Sequence, residues 1–381
     1  MAVSEVLQPD AEPLRVAWFG HLQGPHGNGL AAYSRQTVAA LRSRGVEVLF
    51  FAHREAGVAI PTRQSVELRG LHLKTVTVSL PGSLDRIEAE LSRFRPHLVH
   101  VSVSFSLLDG AVASLARHRN IPAVATVHLP YGSLHSARAR VLRELYRFQA
   151  WRLARFDSIV ALSEAQRALL IESGRDPARI VVISNAVDTD RFKPGRSHLR
   201  TDVKGRFIVV YMGRLDPEKR VPHLVRSFLS RGWSDDHLLL IAGAGTQRRQ
   251  LQHLAAQHPQ VKLLGVITDE EGRVDLLRAA DVFVLPSTAE GLSLALLEAM
   301  SVGRPVIATD AGEDGSVVGE AGVVIPVSPL EPALSEALDH LHGDASLRRR
   351  LGRGARARAL ESYSLRANVD RLVELYRSRR Q

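Results

Sequence analysis

The sequence contains no cysteine, which excludes disulfide scaffolds, thiolate metal sites and cysteine nucleophiles. No stretch approaches the ~18 consecutive apolar residues that a membrane-crossing helix needs. The N-terminus, MAVSEVLQPDAEPLRVAWFG, meets acids and a proline before its first apolar run, unlike a secretory leader. A cytoplasmic location is expected. Short-period repeats, low-complexity tracts and clusters at metal-ligand spacing are also missing. What remains is a chain of 381 residues, 45% hydrophobic and 24% charged, the proportions of a globular protein with packed cores and room for two domains.

The formal net charge is +10. Such a balance suits nucleic acid, anionic lipid or an anionic substrate, and also an arginine-rich solvated surface. The charge is concentrated between Ser133 and Phe156, where six arginines face one glutamate. Read as a helix, this segment sets Leu142, Leu145, Phe148 and Trp151 on one side and Arg140, Arg143 and Arg147 on another. A basic amphipathic helix of this kind lies on an anionic membrane surface, or else packs its apolar stripe on a sheet with its arginines solvated.

Short β-branched runs recur through the first half: residues 14–20, 46–52, 97–103, 122–127, 158–162 and 179–184. Helical patterns such as 30–44 and 83–94 separate them. The alternation predicts βαβ units on a parallel sheet buried on both faces. Residues 188–205, rich in Asp, Lys, Arg, Pro and Gly, read as a linker. The rhythm then restarts at 206–212, 237–242, 261–264, 281–286, 305–309 and 322–326. The fold class is therefore α/β, with two Rossmann-like domains facing across a cleft. The predicted units are residues 1–190, 206–360 and a terminal helix over 361–381.

Ligands of open parallel sheets sit at the carboxyl ends of strands, and the motifs with chemical potential fall there. Glu290-Gly-Leu-Ser-Leu-Ala-Leu-Leu-Glu298 follows a buried strand, with a helix expected from about Leu292. Its free N–H groups over Gly291, Leu292, Ser293 and Leu294 suit a diphosphate. Glu298, about two turns in, suits nucleoside hydroxyls. Gly213 ends another strand, and Arg214 and Lys219 follow it as a fork-shaped and a point cation. In isolation, this loop reads more readily as a surface loop with Arg214 paired to Asp216 or Glu218. Gly24, Gly27 and Gly29 surround a helix start near Leu30 without forming a dinucleotide or Walker motif, which disfavours nicotinamide and ATP.

These motifs together resemble the retaining glycosyltransferases of family 4, which have the GT-B fold. The resemblance rests on NGLAAY (28–33), TVHLP (126–130), ALSEAQ (161–166), ISNAVDTDRFKP (183–194), YMGRLDPEKR (211–220), IAGAG (241–245), STAEGLSLALLEAM (287–300) and GRPVIATDAG (303–312). It implies a nucleotide-sugar donor, UDP-sugar favoured over GDP-sugar, without metal or other cofactor. Arg214 and Lys219 would grip the diphosphate and Glu298 the ribose. Glu290 would bond the transferred sugar and steady charge at its anomeric carbon. Gly29 would let the N-terminal loop close, and His128 would lie beside the donor sugar. Asn185 resembles an inter-domain turn residue. Asn28 stands where the family often has glycine, and Ala244 where an acid is common.

The resemblance further implies a hexosyl transfer with retention and a terminal helix crossing back to the first domain. The acceptor is a sugar, a small molecule, a lipid-linked compound or a cell-envelope glycan, at the inner membrane face if residues 133–156 bind lipid. Nucleic acid is not expected. Other readings are a GT-B epimerase, which needs acid/base carboxylates that cannot be placed in the first domain, a phosphorylase, or a non-catalytic basic module for membrane or nucleic acid.

Overall fold

The structure, a computed structural model, describes residues 12–20, 29–53, 64–68, 70–73, 76–103, 108–128, 151–203, 205–233 and 236–380. The alternating apolar runs form two parallel sheets. In the first, β1 (Arg15–Phe19), β2 (Glu47–His53), β3 (Ser65–Leu68), β6 (Leu98–Val103), β7 (Ala123–Val127), β8 (Ser158–Ala161) and β9 (Ile180–Val182) run in the order β3-β2-β1-β6-β7-β8-β9. A hairpin of β4 (Gly70–Leu73) and β5 (Val76–Ser79) stands apart. In the second, β10 (Phe207–Met212), β11 (His237–Ala242), β12 (Val261–Gly265), β13 (Val282–Leu285), β14 (Val306–Thr309) and β15 (Val323–Ile325) run in the order β12-β11-β10-β13-β14-β15.

Both orders reverse direction beside their first strand, between β1 and β6 and between β10 and β13. Chain leaving the carboxyl ends of those neighbours diverges to opposite faces and opens a crevice. The glycine-rich turn follows β1. The Gly213–Lys219 loop follows β10, and Glu290 follows β13. The topology thus brings two distant motifs of the second sheet to one crevice.

Alternation along β1 splits the first domain's core into two layers. Ala17 and Phe19 pack with Phe51, Val99 and Ile159. Val16 and Trp18 pack with Val38, Leu41 and Phe50, and this layer also contains Val369, Leu372 and Tyr376 of the helix Leu365–Arg379. The terminal helix therefore crosses back onto the first sheet. Its anchor is Tyr376, fully buried, whose hydroxyl lies 2.7 Å from His100 Nδ1. The other His100 nitrogen meets Thr126 Oγ1 at 3.0 Å, and its ring stacks on Trp18 at 3.9 Å. Arg44 pairs with Asp370, and Asn368 Nδ2 donates to Ser184 O at 2.8 Å.

The polar break at 188–205 is built rather than loose. Phe192 is buried in the second core. Arg356 Nη1 donates to the carbonyls of Thr189 and Phe192 at 3.0 Å and of Ser301 at 2.8 Å. Ser197 caps a short helix, His198–Asp202. Charged side chains here satisfy backbone carbonyls that a flexible linker would leave to water. The two chain crossings lie side by side: Val187 N donates to Tyr363 O, and Leu365 N to Val187 O, both at 2.9 Å.

Candidate active site

Close approach at the end of β10 requires glycine on two strands. A Cβ on Gly213 would stand 2.9 Å from the Tyr211 hydroxyl, and one on Gly243 (φ +145) would stand 1.8 Å from Gly213 O. The chain then makes a single tight turn, Pro217–Lys219, which sinks Lys219 into the crevice. There Lys219 Nζ pairs with Glu290 Oε1, both side chains only 11% exposed. Ser287 Oγ donates to the same oxygen at 2.9 Å. Thr288 N donates to Glu218 O at 2.8 Å, so the β10 and β13 loops are fastened to each other as well as facing each other. Lys219 and Glu290, 71 positions apart in sequence, form the centre of the site.

Arg214 lies at the rim, half exposed. It donates to Asp216 Oδ2 at 2.5 Å and Glu218 Oε1 at 2.6 Å. Both carboxylates weighed as its partners from sequence are engaged at once. Thr246 N and Oγ1 each donate to the other Asp216 oxygen at 3.0 Å, which together with Arg214 lowers the Asp216 pKa despite some burial.

The helix after β13 starts at Leu294, two residues later than the sequence suggests, and Glu298 sits one turn in rather than two. Ser293 serves as N-cap, its hydroxyl accepting from Leu296 N, and the Leu292 carbonyl before it accepts from Asn185 Nδ2 at 3.0 Å. Asn185 thus ties the inter-domain connection to the Gly291–Leu294 turn. Ser293 N is already engaged, donating to Asp314 Oδ1 at 3.1 Å. Asp314 is buried; desolvation, and then the nearby Glu290 charge, push its pKa well above the usual carboxylate range. Gly312 (φ +61) allows this approach, since a Cβ there would lie 2.0 Å from Glu290 O.

Glu298 is separated from the Lys219–Glu290 pair and has its own partner. Arg273, on the helix Glu270–Ala279, donates through Nη1 to Glu298 Oε1 at 2.8 Å. Burial dominates, pushing the Glu298 pKa up to about 7 against the opposing pull of Arg273. Sequence reasoning missed Ser287, Asp314 and Arg273. The Glu270-Glu271-x-Arg273 pattern reads only as a charged helix start, so nothing in sequence pointed to the contact with Glu298.

On the first domain, His128 follows β7, and its ring meets that of Tyr33 edge-on at 4.6 Å. Tyr33, on the helix Gly29–Arg42, has its phenol pushed up to about 12 by burial. Gly29 is the exposed first residue of that helix, and a Cβ there would meet nothing within 4 Å among the described residues. Gly24, Gly27 and residues 133–150 of the basic segment lie outside the described residues. Of its end, Trp151 is 63% exposed with Arg155 over its ring at 4.3 Å, whereas Arg152, Leu153 and Phe156 are buried. No helix among the described residues is long and apolar enough to cross a membrane.

Comparison with known proteins gives this arrangement its context. The family model described as Glycosyltransferase Family 4 matches residues 27–191, and that described as Glycosyl transferases group 1 matches 206–344. A D-inositol 3-phosphate glycosyltransferase of Nocardia farcinica is 29% identical over 91% of this chain and 84% of its own length. A glycogen synthase of Mycobacterium tuberculosis is 27% identical over 74% of this chain and 69% of its own. Among solved structures, sucrose-phosphate synthase from Thermosynechococcus elongatus superposes with a TM-score of 0.78 at 22% identity, over 96% of this chain and 98% of that one. Anabaena HepE, solved in complex with UDP and glucose, gives 0.74 at 18% identity, over 96% of this chain and 100% of that one. Two doubly wound sheets with their motif loops at the switch points, matched by family models across both halves, place this chain in glycosyltransferase family 4, with the GT-B fold.

Proposed function

We propose that the enzyme moves a hexose from a UDP-sugar to an acceptor hydroxyl with retention of anomeric configuration. The observation that carries this reading is the buried Lys219–Glu290 pair at the switch point of the second sheet. The second domain would hold the donor and the first the acceptor. An arriving diphosphate offers Lys219 a stronger counter-charge than one carboxylate, so the ammonium exchanges Glu290 for phosphate. Glu290, still bonded by Ser287, is then released to accept from the donor sugar and to face positive charge at its anomeric carbon. Arg214 reaches the diphosphate from the rim, leaving Asp216 to Thr246. The N–H groups at Gly291, Leu292 and Leu294 add to the cradle. Ser293 joins only if Asp314 yields its amide. Glu298 takes the ribose, and His128 and Gly29 line the opposite wall.

The reaction balances without a second acid/base residue. The anomeric carbon–phosphate bond breaks as the acceptor oxygen bonds on the same face. The acceptor proton passes to the departing phosphate. UDP as leaving group is supported by HepE, whose structure contains UDP and glucose. A soluble polyol or sugar acceptor draws support from the inositol-phosphate relative. A lipid-linked acceptor at the cytoplasmic membrane face draws support from the arginines of residues 133–156. A donor screen reading nucleotide release, with soluble and lipid acceptors side by side, tests both. Proton NMR of the product anomer tests retention, and an inverted product would refute the mechanism.

A further inference from the structure

Glu298 is an unusual residue to find in a core. Its side chain is 3% exposed. One oxygen, Oε1, is held by Arg273; the other, Oε2, is closed off from solvent and has no hydrogen-bond partner among the described residues. A buried carboxylate with a single donor tends to take up a proton, and a protonated carboxyl loses acceptor capacity. Arg273 is the cation that opposes this. Its guanidinium is itself positioned from three sides. It lies over the Phe192 ring at 5.4 Å, 3.8 Å from Glu270 and 2.8 Å from Glu298. Glu270 in turn pairs with Arg191 of the inter-domain connection at 2.5 Å.

We propose that Arg273 is the positioning residue for the nucleoside end of the site: by holding one oxygen of Glu298 it keeps that carboxylate ionised and leaves the other oxygen as an acceptor for ribose hydroxyls. This rests on the donor reading above, but assigns a role to a residue outside the motifs that support it. The remaining charges nearby are committed elsewhere. Arg356, on the neighbouring helix Ala345–Ser362, is turned to the carbonyls of Thr189, Phe192 and Ser301. Arg35, on the first domain, is close enough to Arg273 and Glu270 for the arginine to lower its pKa and the glutamate to raise it, after burial as the larger cause. Arg273 is thus the cation in direct contact with Glu298, and Glu270 is its second support. When a ribose reaches Oε2 the guanidinium has Glu270 to lean on.

The test is calorimetric binding of UDP between pH 6 and 9 by the full chain and by Arg273→Met, Arg273→Lys and Glu298→Gln. Wild-type affinity should rise as pH climbs through about 7 and then level. Arg273→Met should bind roughly tenfold more weakly at pH 7.5, the scale of one charge-assisted hydrogen bond, with its rise displaced upward by a pH unit or more. Arg273→Lys should lie between the two. Glu298→Gln should show only the slope that belongs to the ligand's own phosphate. An Arg273→Met protein with wild-type affinity and pH profile overturns the inference, as does one that binds more tightly. If Arg273→Met fails to fold, Arg273→Lys decides alone: weaker binding with a partly displaced profile supports the inference, and wild-type affinity with a wild-type profile overturns it. A wild-type chain that binds no nucleoside diphosphate refutes the donor reading itself, and this inference with it.

Discussion

Lys219 and Arg214 are both cations of one loop, yet their surroundings give them different expected consequences. Lys219 is buried against Glu290. On the proposed function its removal takes away charge stabilisation of the leaving diphosphate, so Lys219→Ala should lower kcat by about 10²–10³-fold with an unchanged circular dichroism spectrum. Near-normal turnover would remove Lys219 from the mechanism. Arg214 is half exposed and shared between two carboxylates. Its loss should act mainly on donor KM, and steady-state kinetics of Arg214→Ala separates the two roles. The sequence places both cations and both motif glutamates after strand ends, and the structure brings two of them, Lys219 and Glu290, into contact. Arg273 and Asp314 were not legible in the sequence. Each meets its partner only through tertiary packing, Arg273 across 25 positions and Asp314 across 21, and each reads locally as an ordinary charged residue.

At the scale of elements, buried parallel strands announce themselves. All six expected strands of the second sheet are present within a residue or two of their expected bounds, and so are the six of the first that read as continuous apolar runs. β3, β4 and β5 were not anticipated: SVEL and GLHL mix polar and apolar residues and lack that continuity. The terminal helix shows the other limit. Its apolar spacing was visible, but spacing cannot say which sheet it covers. The contact that decides is Tyr376 with His100. Tyr376→Phe keeps the ring and removes the hydroxyl, leaving a buried imidazole nitrogen short of a partner. We expect a loss of ~1–3 kcal/mol in urea unfolding, and ~3–5 kcal/mol for Tyr376→Ala, where a large cavity is added. A Phe variant as stable as wild type would show that the Tyr376 hydroxyl adds nothing to what holds the helix.

Across the whole molecule, buried Glu298 of the second domain and buried His100 of the first impose opposite pH dependences on folding. His100 is fully buried, and desolvation, with His128 a lesser cause, holds its pKa well below that of a free imidazole. The unfolded chain therefore binds this proton more readily, and stability falls as pH drops below ~6.5. Glu298 behaves in the opposite sense. Its folded pKa of about 7 exceeds the unfolded ~4.3, so the native state binds the extra proton between those values. Stability therefore declines as pH rises through that window and stays lower above it. Between pH 5 and 6.5 the two effects offset each other, and wild-type stability should vary little. Glu298→Gln removes one of them. The Gln amide still accepts from Arg273 through its oxygen and has no charge to desolvate. Its advantage over wild type should grow from about pH 4.5 to 7 and then hold constant, at up to ~3 kcal/mol for a fully buried group, while its own stability climbs towards ~6.5 with His100. Chemical unfolding of both proteins at pH 5, 6, 7 and 8 measures this directly. A stability difference independent of pH would mean that Glu298 is ionised throughout, with Arg273 fully compensating its burial. A growing difference would mean that this chain keeps a destabilising carboxylate in its core, as a site that needs an ionised acceptor at the ribose would require.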